Sequence, residues 1–487
     1  MTAASFHVSL QNCRARFLES AARKFRSASA VKLFLAACAA LLFASVCLIP
    51  RASAQQRARQ SGSHLVNGFR QGTPLAAPQM QRNSGVLTPE GGRALSENIY
   101  EIGSNQQSSQ QQDASQYGPN FYAAMRWRQI GPFRAGRVSA VAGIAGNPAV
   151  YYIGTPGGGI WETRDAGTVW KPIFDQEHVA SIGAMEVAPS DSKIIYAGTG
   201  DVSDVGGAVN QGDGMYKSTD AGKTWEHIGL DDSRHIGAIW IDPKNADVVI
   251  VAALGHTFAP NEERGIFKTT DGGKTWKKVL YKDDTTGAID LSFAPDNPRI
   301  GFATLWHHYS KPGDPLALLM ATAGAGIYKT TDEGDTWTPV VGHGLPTEKL
   351  GRMGVAVAPG GQRVFAIVSA QGGKAGLYRS DDGGNNWTKI TSDPRVRGNG
   401  YFSKVYLDPH NPDIVYVMQT SMYRSTDGGK TFISYKGAPG GDDNHVLWID
   451  PTNSDWMIMG SDQGATISLD GGRTWTSWYN QPTGQIY

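Results

Sequence analysis

Cysteine is scarce in this chain, and so is an excess of charge of either sign. The only three cysteines are Cys13, Cys38 and Cys47, so no disulfide framework can hold the remaining residues together. Lys and Arg number 45 against 44 Asp and Glu, and a formal net charge of +1 argues against a nucleic-acid partner. Helical periodicity is hard to find after residue 125, whereas 60 glycines and 13 tryptophans favour a β-rich protein with many turns.

The first 54 residues have the three parts of a secretory signal peptide. Basic residues precede an apolar stretch from Leu33 to Ile49, and an Ala-Ser-Ala sequence precedes Gln55. This pattern predicts a signal peptide over residues 1–54, cleaved before Gln55, and an exported protein in the periplasm or outside the cell. Because the apolar stretch is long for a signal core, the alternative is an uncleaved segment that anchors the protein to the membrane. After cleavage, no membrane partner is expected.

Residues 55–122 are rich in glutamine, serine and glycine and poor in aliphatic side chains. The run SNQQSSQQQDASQ at residues 104–116 shows this composition. Such a segment cannot bury enough apolar surface to offset the entropy lost on ordering. We therefore expect a disordered linker over residues 55–122 and a folded domain over residues 123–487.

One octet occurs seven times in that domain, with copies roughly 50 residues apart. Each copy has Ser or Thr first, Asp third, Gly fifth and an aromatic residue last. The copies are TRDAGTVW (163–170), STDAGKTW (218–225), TTDGGKTW (269–276), TTDEGDTW (330–337), SDDGGNNW (380–387), STDGGKTF (425–432) and SLDGGRTW (468–475).

The Gly-Lys-Thr sequence in TTDGGKTW suggests a phosphate-binding loop, but the spacing excludes one. That motif needs a further glycine five positions earlier, where this chain has Lys268. The octet instead suits a turn, because Asp and Ser or Thr side chains can accept hydrogen bonds from backbone N–H groups two or three residues on. We assign a structural role to the seven octet aspartates: Asp165, Asp220, Asp271, Asp332, Asp382, Asp427 and Asp470.

A strand, a turn with proline and a second strand precede most octets, as in IDPKNADVVIVAA at residues 241–253. With the two strands that flank the octet, each repeat has four strands. Seven four-stranded repeats predict an all-β, seven-bladed β-propeller. Two segments compete to complete the last blade, MRWRQIGPF (125–133) and RTWTSWYNQ (473–481), so the sequence leaves the closure of the ring open.

The octets resemble Asp-boxes, also called BNR repeats. Longer runs, such as RQIGPFRAGRVSAVAG and DGGRTWTSWYNQPTGQIY, are similar to large exported bacterial proteins described as BNR-repeat glycosyl hydrolases or sortilin-like proteins. The resemblance covers residues 126–487 and implies an Asp-box propeller. Members of that group are usually longer, so it also implies further repeats downstream.

Extra residues lie between the second and third strands of the second, third and fourth repeats. These loops are residues 200–214, 255–265 and 305–324. Insertions on one face commonly mark the binding face, where aromatic rings beside carboxylates and amides suit a sugar. The candidate catalytic carboxylates, including one from the seventh repeat, are Asp201, Asp213, Glu262 and Asp462. The candidate ligand-binding residues are His256, Glu263, Arg264, Trp306, His307, His308, Asn444 and His445.

No cofactor or metal is expected. His307-His308 and the Asp-Asp-Asn-His run that ends at His445 offer adjacent side chains, which rarely chelate one ion together. No spaced pair of ligands accompanies them.

Whether the propeller is an enzyme is left open by the resemblance. Sialidases carry an Arg-Ile-Pro signature that is missing here, and xyloglucanase-like proteins place an aspartate in a Thr-Asp-x-Gly-Gly loop of the first blade, where this chain has Pro156. The first hypothesis is therefore an exported propeller that binds a glycan or an extended peptide without catalysis. The second is a polysaccharide-degrading glycoside hydrolase, or its N-terminal half. A third is a scaffold for assembly.

Overall fold

The computed structural model describes residues 135–202, 210–309, 324–436 and 442–484. The predicted signal peptide and linker lie outside these residues, as does the segment 125–133. Within the described residues, no helix combines the length and the apolar character needed to cross a membrane.

The described residues form seven antiparallel sheets, which confirms the predicted all-β, seven-bladed propeller. Six sheets have four strands, and neighbours in each sheet are neighbours in the chain. Two short 3-10 turns, Asp231–Ser233 and Pro394–Val396, interrupt the strands.

The first four blades contain sixteen strands, numbered in chain order. Blade 1 consists of β1 (Ala140–Ile144), β2 (Asn147–Gly154), β3 (Ile160–Thr163) and β4 (Lys171–Pro172). Blade 2 consists of β5 (Ile182–Val187), β6 (Ile195–Thr199), β7 (Met215–Ser218) and β8 (Glu226–His227). Blade 3 consists of β9 (Ile236–Asp242), β10 (Asn245–Ala253), β11 (Gly265–Thr269) and β12 (Lys277–Leu280). Blade 4 consists of β13 (Thr286–Ala294), β14 (Asn297–His307), β15 (Gly326–Thr330) and β16 (Thr338–Val340).

The last three blades contain eleven strands within the described residues. Blade 5 consists of β17 (Leu350–Val357), β18 (Val364–Ala370), β19 (Gly376–Ser380) and β20 (Thr388–Thr391). Blade 6 consists of β21 (Val405–Leu407), β22 (Val415–Met418), β23 (Met422–Ser425) and β24 (Ile433–Lys436). Blade 7 consists of β25 (Asn444–Ile449), β26 (Met457–Ser461) and β27 (Gly464–Ser468).

Apolar side chains fill the spaces between neighbouring sheets. Ile250 of blade 3 and Phe293 of blade 4 belong to one core cluster, and the ring of Trp240 stacks on Phe293 at a centroid distance of 4.2 Å. The end of β10 is buried throughout, because sheets cover both of its faces. The core of the propeller is therefore a ring of inter-blade clusters.

In blades 1 to 6 the octet forms the turn between the third and fourth strands, in blade 7 it follows the third strand, and in each copy its side chains bond to its own backbone. In the third copy, Thr269 Oγ1 accepts a hydrogen bond from Gly273 N at 3.0 Å, and Asp271 Oδ1 accepts one from Thr275 N at 2.9 Å. Both bonds span four residues, one or two more than predicted. The hydrogen bonds from Thr275 lower the pKa of Asp271 to about 2.

The aromatic residue at the end of the octet packs at the boundary between blades. Trp225 Nε1 donates to the carbonyl of Ile173 in the preceding blade at 2.8 Å, and Trp276 Nε1 donates to that of Ile228 at 2.7 Å. These bonds tie the outer strand of one blade to the octet of the next.

The three long connections lie where the loop lengths predicted them, between the second and third strands of blades 2, 3 and 4. Residues 203–209 and 310–323 of these connections lie outside the described part of the chain.

The described residues of blade 7 contain three strands, and the segment 125–133, one of the two candidates for its fourth strand, lies outside them. Beyond β27 the chain follows the outer edge of that strand, where Thr476 N donates to Ile467 O at 2.9 Å and the Gln481 side chain bonds to both N and O of Ala465. On the inner side, Val138 N donates to Ser461 O at 3.0 Å, which joins blade 1 to blade 7. The ring is therefore closed by contacts between these two blades.

Candidate functional site

The first strands of the blades surround a central cavity of about 220 Å³. Small residues allow them to approach closely: a Cβ atom added to Gly237 of β9 would collide with the carbonyl oxygen of Ile289 in β13. Charged side chains that line the cavity are Glu186, Asp290, Arg352 and Lys404.

Charged and aromatic side chains meet at the rim of this cavity, where β1 begins and β6 and β26 end. We call Arg137, Asp201, Tyr401, His445 and Asp462 the rim cluster. Arg137 Nε lies 2.6 Å from Asp462 Oδ1, and Arg137 Nη1 lies 3.8 Å from Asp201 Oδ2. His445 Nε2 lies 2.7 Å from Asp462 Oδ1 and 3.5 Å from the Tyr401 hydroxyl.

The electrostatics of the rim cluster keep Asp462 ionised. Burial by itself would raise the pKa of this carboxyl, but hydrogen bonds from His445 and Arg137 lower it to about 2. Burial and the nearby charge of Asp462 instead raise the pKa of Asp443 above its usual range. Asp462 N donates to the carbonyl of Asp443 at 3.1 Å, so the two aspartates are direct neighbours.

A second polar group lies within the cavity. Lys404 Nζ lies 2.5 Å from Asp290 Oδ1, and Asp290 Oδ2 accepts a hydrogen bond from Val355 N at 3.1 Å. Burial raises the pKa of Glu186, on β5, to about 8, so this carboxyl is mostly protonated at neutral pH.

Sequence reasoning selected Asp201, Asp462 and His445, and the structure brings these three together. It did not select Arg137, Tyr401 or the residues within the cavity. A usable signal existed for some of them, because Glu186 and Asp290 interrupt otherwise apolar first strands. A polar residue in a strand that should be buried is informative.

The other candidate carboxylates lie outside the rim cluster. Asp213 Oδ2 accepts a hydrogen bond from the Tyr216 hydroxyl at 2.9 Å, and Glu263 Oε2 accepts one from Asp232 N at 2.8 Å. Glu262 is exposed.

Two candidate ligand-binding residues hold the blade 3 loop in place. Arg264 is buried and donates to the carbonyls of Leu254 and His308 at 2.7 and 2.8 Å, and also to that of His256. His256 Nε2 lies 2.7 Å from Asp232 Oδ1.

The remaining candidates are largely enclosed. Trp306 is 1% exposed, and its ring lies 5.6 Å from the Arg352 guanidinium. His308 is also buried, with Nε2 3.0 Å from Thr257 Oγ1, whereas His307 is half-buried; burial lowers the pKa of both histidines. Asn444 is buried and donates to the carbonyl of Gln419 at 3.2 Å.

The described residues contain no group of three or more His, Cys, Asp or Glu side chains able to hold a metal ion.

Comparison with known proteins agrees with this architecture. The family model described as "Sortilin, neurotensin receptor 3" matches residues 213–345 and 375–484. This match and the seven blades support a sortilin-like/glycosyl hydrolase β-propeller.

Among curated relatives, this propeller is 23% identical over 321 residues to a xyloglucanase from Paenibacillus sp, covering 58% of this chain and 29% of the relative. It is 27% identical over 310 residues to the xyloglucanase Xgh74A of Acetivibrio thermocellus, covering 56% and 35%. The matches thus span about a third of the length of these relatives.

A solved structure shares the fold. The GH74 xyloglucanase from Xanthomonas campestris superposes with a TM-score of 0.52 at 18% identity, covering 71% of this chain and 54% of that one.

Proposed function

We propose that this propeller is part of a polysaccharide-degrading glycoside hydrolase and that the polysaccharide lies across the rim of its central cavity. Support comes from the curated relatives, which are xyloglucanases, and from the neighbouring carboxyls at the rim. We propose a glucan related to xyloglucan as the substrate. The proposal includes export of the protein, as the pattern of residues 1–54 predicts.

The observation that carries the proposal is the opposite shift in pKa of two aspartates, Asp443 and Asp462, whose backbones are joined by a hydrogen bond. Glycoside hydrolysis commonly uses one carboxylic acid that donates a proton to the leaving oxygen and a second, ionised carboxylate. When the surroundings raise the pKa of one carboxyl and lower that of the other, the first can act as the acid and the second as the ionised carboxylate. Asp443, whose pKa is raised, suits the acid, and Asp462, whose pKa is about 2, suits the carboxylate.

Arg137 and His445 would act as positioning residues for Asp462. Arg137 is buried and donates to Asp462 from Nε, while His445 contacts the same oxygen. Their two contacts fix the orientation of the carboxylate and favour its charged form.

A second function, binding of polysaccharide without cleavage, is favoured by the turn at residues 155–159. Thr155 Oγ1 accepts a hydrogen bond from Gly158 N at 2.8 Å, and Pro156 occupies the position that holds an aspartate in the similar xyloglucanase-like proteins. Because this turn has no carboxylate, the chain lacks one of the two catalytic acids of those proteins. Cleavage would then require Asp443 and Asp462 to supply both carboxyls.

The test is release of reducing ends by the full chain from xyloglucan, mixed-linkage β-glucan, mannan and xylan. We expect cleavage of a glucan and a loss of about a hundredfold or more in rate for both Asp443→Asn and Asp462→Asn. Asp231→Asn is the matched control, since Asp231 is 77% exposed and outside the rim cluster.

Electrophoresis in gels containing each polysaccharide separates the two functions. Retardation without cleavage would support binding alone. Cleavage that persists in the Asp443→Asn/Asp462→Asn double variant would contradict these assignments, and Asp201→Asn, Asp213→Asn and Glu262→Gln would then be examined. Neither retardation nor cleavage on any of the four would contradict both functions.

A further inference from the structure

Arg352 is a buried cation whose guanidinium is incompletely hydrogen-bonded within the described residues. It lies on β17, lines the central cavity and is only 4% exposed. Among the described residues, its Nε and Nη1 atoms have no hydrogen-bond partner, and its guanidinium instead lies 5.6 Å from the ring of Trp306.

An arrangement of this kind is unfavourable for the empty protein. Buried guanidinium groups are normally paired, because removing the charge from water costs several kcal/mol. Burial accordingly lowers the pKa of Arg352 to about 10, so the group is still charged at neutral pH.

Within the described residues, the neighbouring carboxyls form no hydrogen bond with Arg352 Nε or Nη1 and offset its charge only in part. Asp290 acts on it only through space, since that carboxylate is occupied by Lys404 at 2.5 Å and by Val355 N. Glu186 is mostly protonated at neutral pH, and Asp201 is paired with Arg137. An anion from outside the protein could approach the free side of the guanidinium.

Two further polar atoms of the cavity lack a partner within the described residues. They are Ser403 Oγ and Asn444 Oδ1, both buried. The Ser403 hydroxyl can donate or accept a hydrogen bond, and the Asn444 amide oxygen can accept one. Both atoms could therefore bond to the hydroxyl groups of a ligand. The cavity of about 220 Å³ is below the range of pockets for drug-sized ligands and suits one monosaccharide unit.

We propose that the central cavity binds one uronate unit, with its carboxylate on Arg352 and its hydroxyls on Ser403 and Asn444. The choice of a sugar rests on the proposed function, and the choice of an acidic sugar rests on Arg352. A planar guanidinium binds a carboxylate through two parallel hydrogen bonds, whereas a neutral sugar leaves the buried charge uncompensated.

The test is binding of sodium glucuronate to the full chain, measured by calorimetry and by the shift in Tm. Glucose at the same concentration is the neutral control, with sodium chloride added to match ionic strength. We expect glucuronate to raise Tm in proportion to its binding and glucose to leave Tm unchanged. Arg352→Met should weaken glucuronate binding at least about tenfold.

Arg424→Met is the matched control variant. The Arg424 guanidinium also packs on aromatic rings, 5.8 Å from Tyr416 and 5.2 Å from Tyr435, but does not line the cavity. It should bind glucuronate as the unmodified protein does. If circular dichroism shows that Arg352→Met is unfolded, Arg352→Lys takes its place, because it keeps the charge but loses the planar fork and should also bind more weakly.

Four results would overturn this inference: no response to glucuronate, an equal response to glucose, full binding by a folded Arg352 variant, or stronger binding of N-acetylalanine. The last would assign the cavity to a peptide carboxylate. Glucan cleavage without glucuronate binding would contradict this inference alone, whereas glucuronate binding without cleavage of any polysaccharide would contradict only the proposed hydrolase.

Discussion

Asp462, in the turn after β26, accepts a hydrogen bond of 2.6 Å from Arg137, which precedes β1 and lies 325 residues earlier in the chain. This contact is one of those that join the last blade to the first, together with the bond from Val138 N to Ser461 O. The rim cluster and the closure of the ring therefore depend on the same residues.

Asp462→Asn should lower the free energy of unfolding at pH 7 by on the order of 2 kcal/mol. The folded-state pKa of Asp462 is about 2, below the ordinary value of 3.8 for an aspartate, so its contribution is present above pH 4. It is lost as the pH falls through about 2. Urea titrations at several pH values should show the two proteins converging in acid. Asp231→Asn should match the unmodified protein throughout, and a gap independent of pH would contradict the pairing.

Glu186→Gln should have the opposite dependence on pH. The folded-state pKa of Glu186 is about 8, above the ordinary value of 4.5 for a glutamate, so between these pH values the folded protein holds a proton that the unfolded chain has released. Stability from this group is complete below pH 4.5 and declines as the pH rises to 8. Glutamine removes the titration, so the variant should gain in relative Tm between pH 5 and pH 8. A constant difference across this range would show that Glu186 titrates normally.

Thr269→Val should destabilise the propeller by about 1–2 kcal/mol, because it removes the acceptor for the buried Gly273 N and keeps the side-chain volume. Thr269 is buried, and its hydroxyl also donates to Asp271 at 2.7 Å. Thr269→Ser keeps the hydroxyl and is the control, with a smaller expected loss. Chemical denaturation would measure both, and equal losses would show that the methyl group matters more than the hydrogen bonds.

Ala166→Gly should stabilise the protein by about 1 kcal/mol. Ala166 has φ 54°, at an octet position where four other copies have glycine. Left-handed backbone is unfavourable for residues that carry a Cβ atom. Ala180, which is exposed and outside the left-handed region, gives the control Ala180→Gly, which should be neutral or destabilising. A lower Tm for Ala166→Gly would contradict the strain argument.

Local signals account for the correct predictions of the fold. The octet bonds to itself within four residues, so its copies mark the turns wherever they occur. Counting residues between the octets also located the three long connections. In blade 7 the described residues contain three strands, and the chain after β27 bonds to Ala465 through the side chain of Gln481.

The site was less accessible to sequence reasoning. Trp306 and Arg264 lie on or beside the long loops, but their burial depends on Arg352 and on the carbonyls of Leu254 and His308. Those partners are set by how neighbouring blades pack.

The sequence by itself determined the seven blades, their strand order and the face with long loops, because turns and strand periodicity arise from residues close in the chain. Only the tertiary structure decided which charges meet. Arg137 reaches Asp462 because the ring closes. Arg352 is buried, with no hydrogen-bonding carboxylate among the described residues, because the first strands of all seven blades line one cavity. Contacts between residues so far apart in the chain depend on how whole blades pack. No short sequence motif predicts that packing.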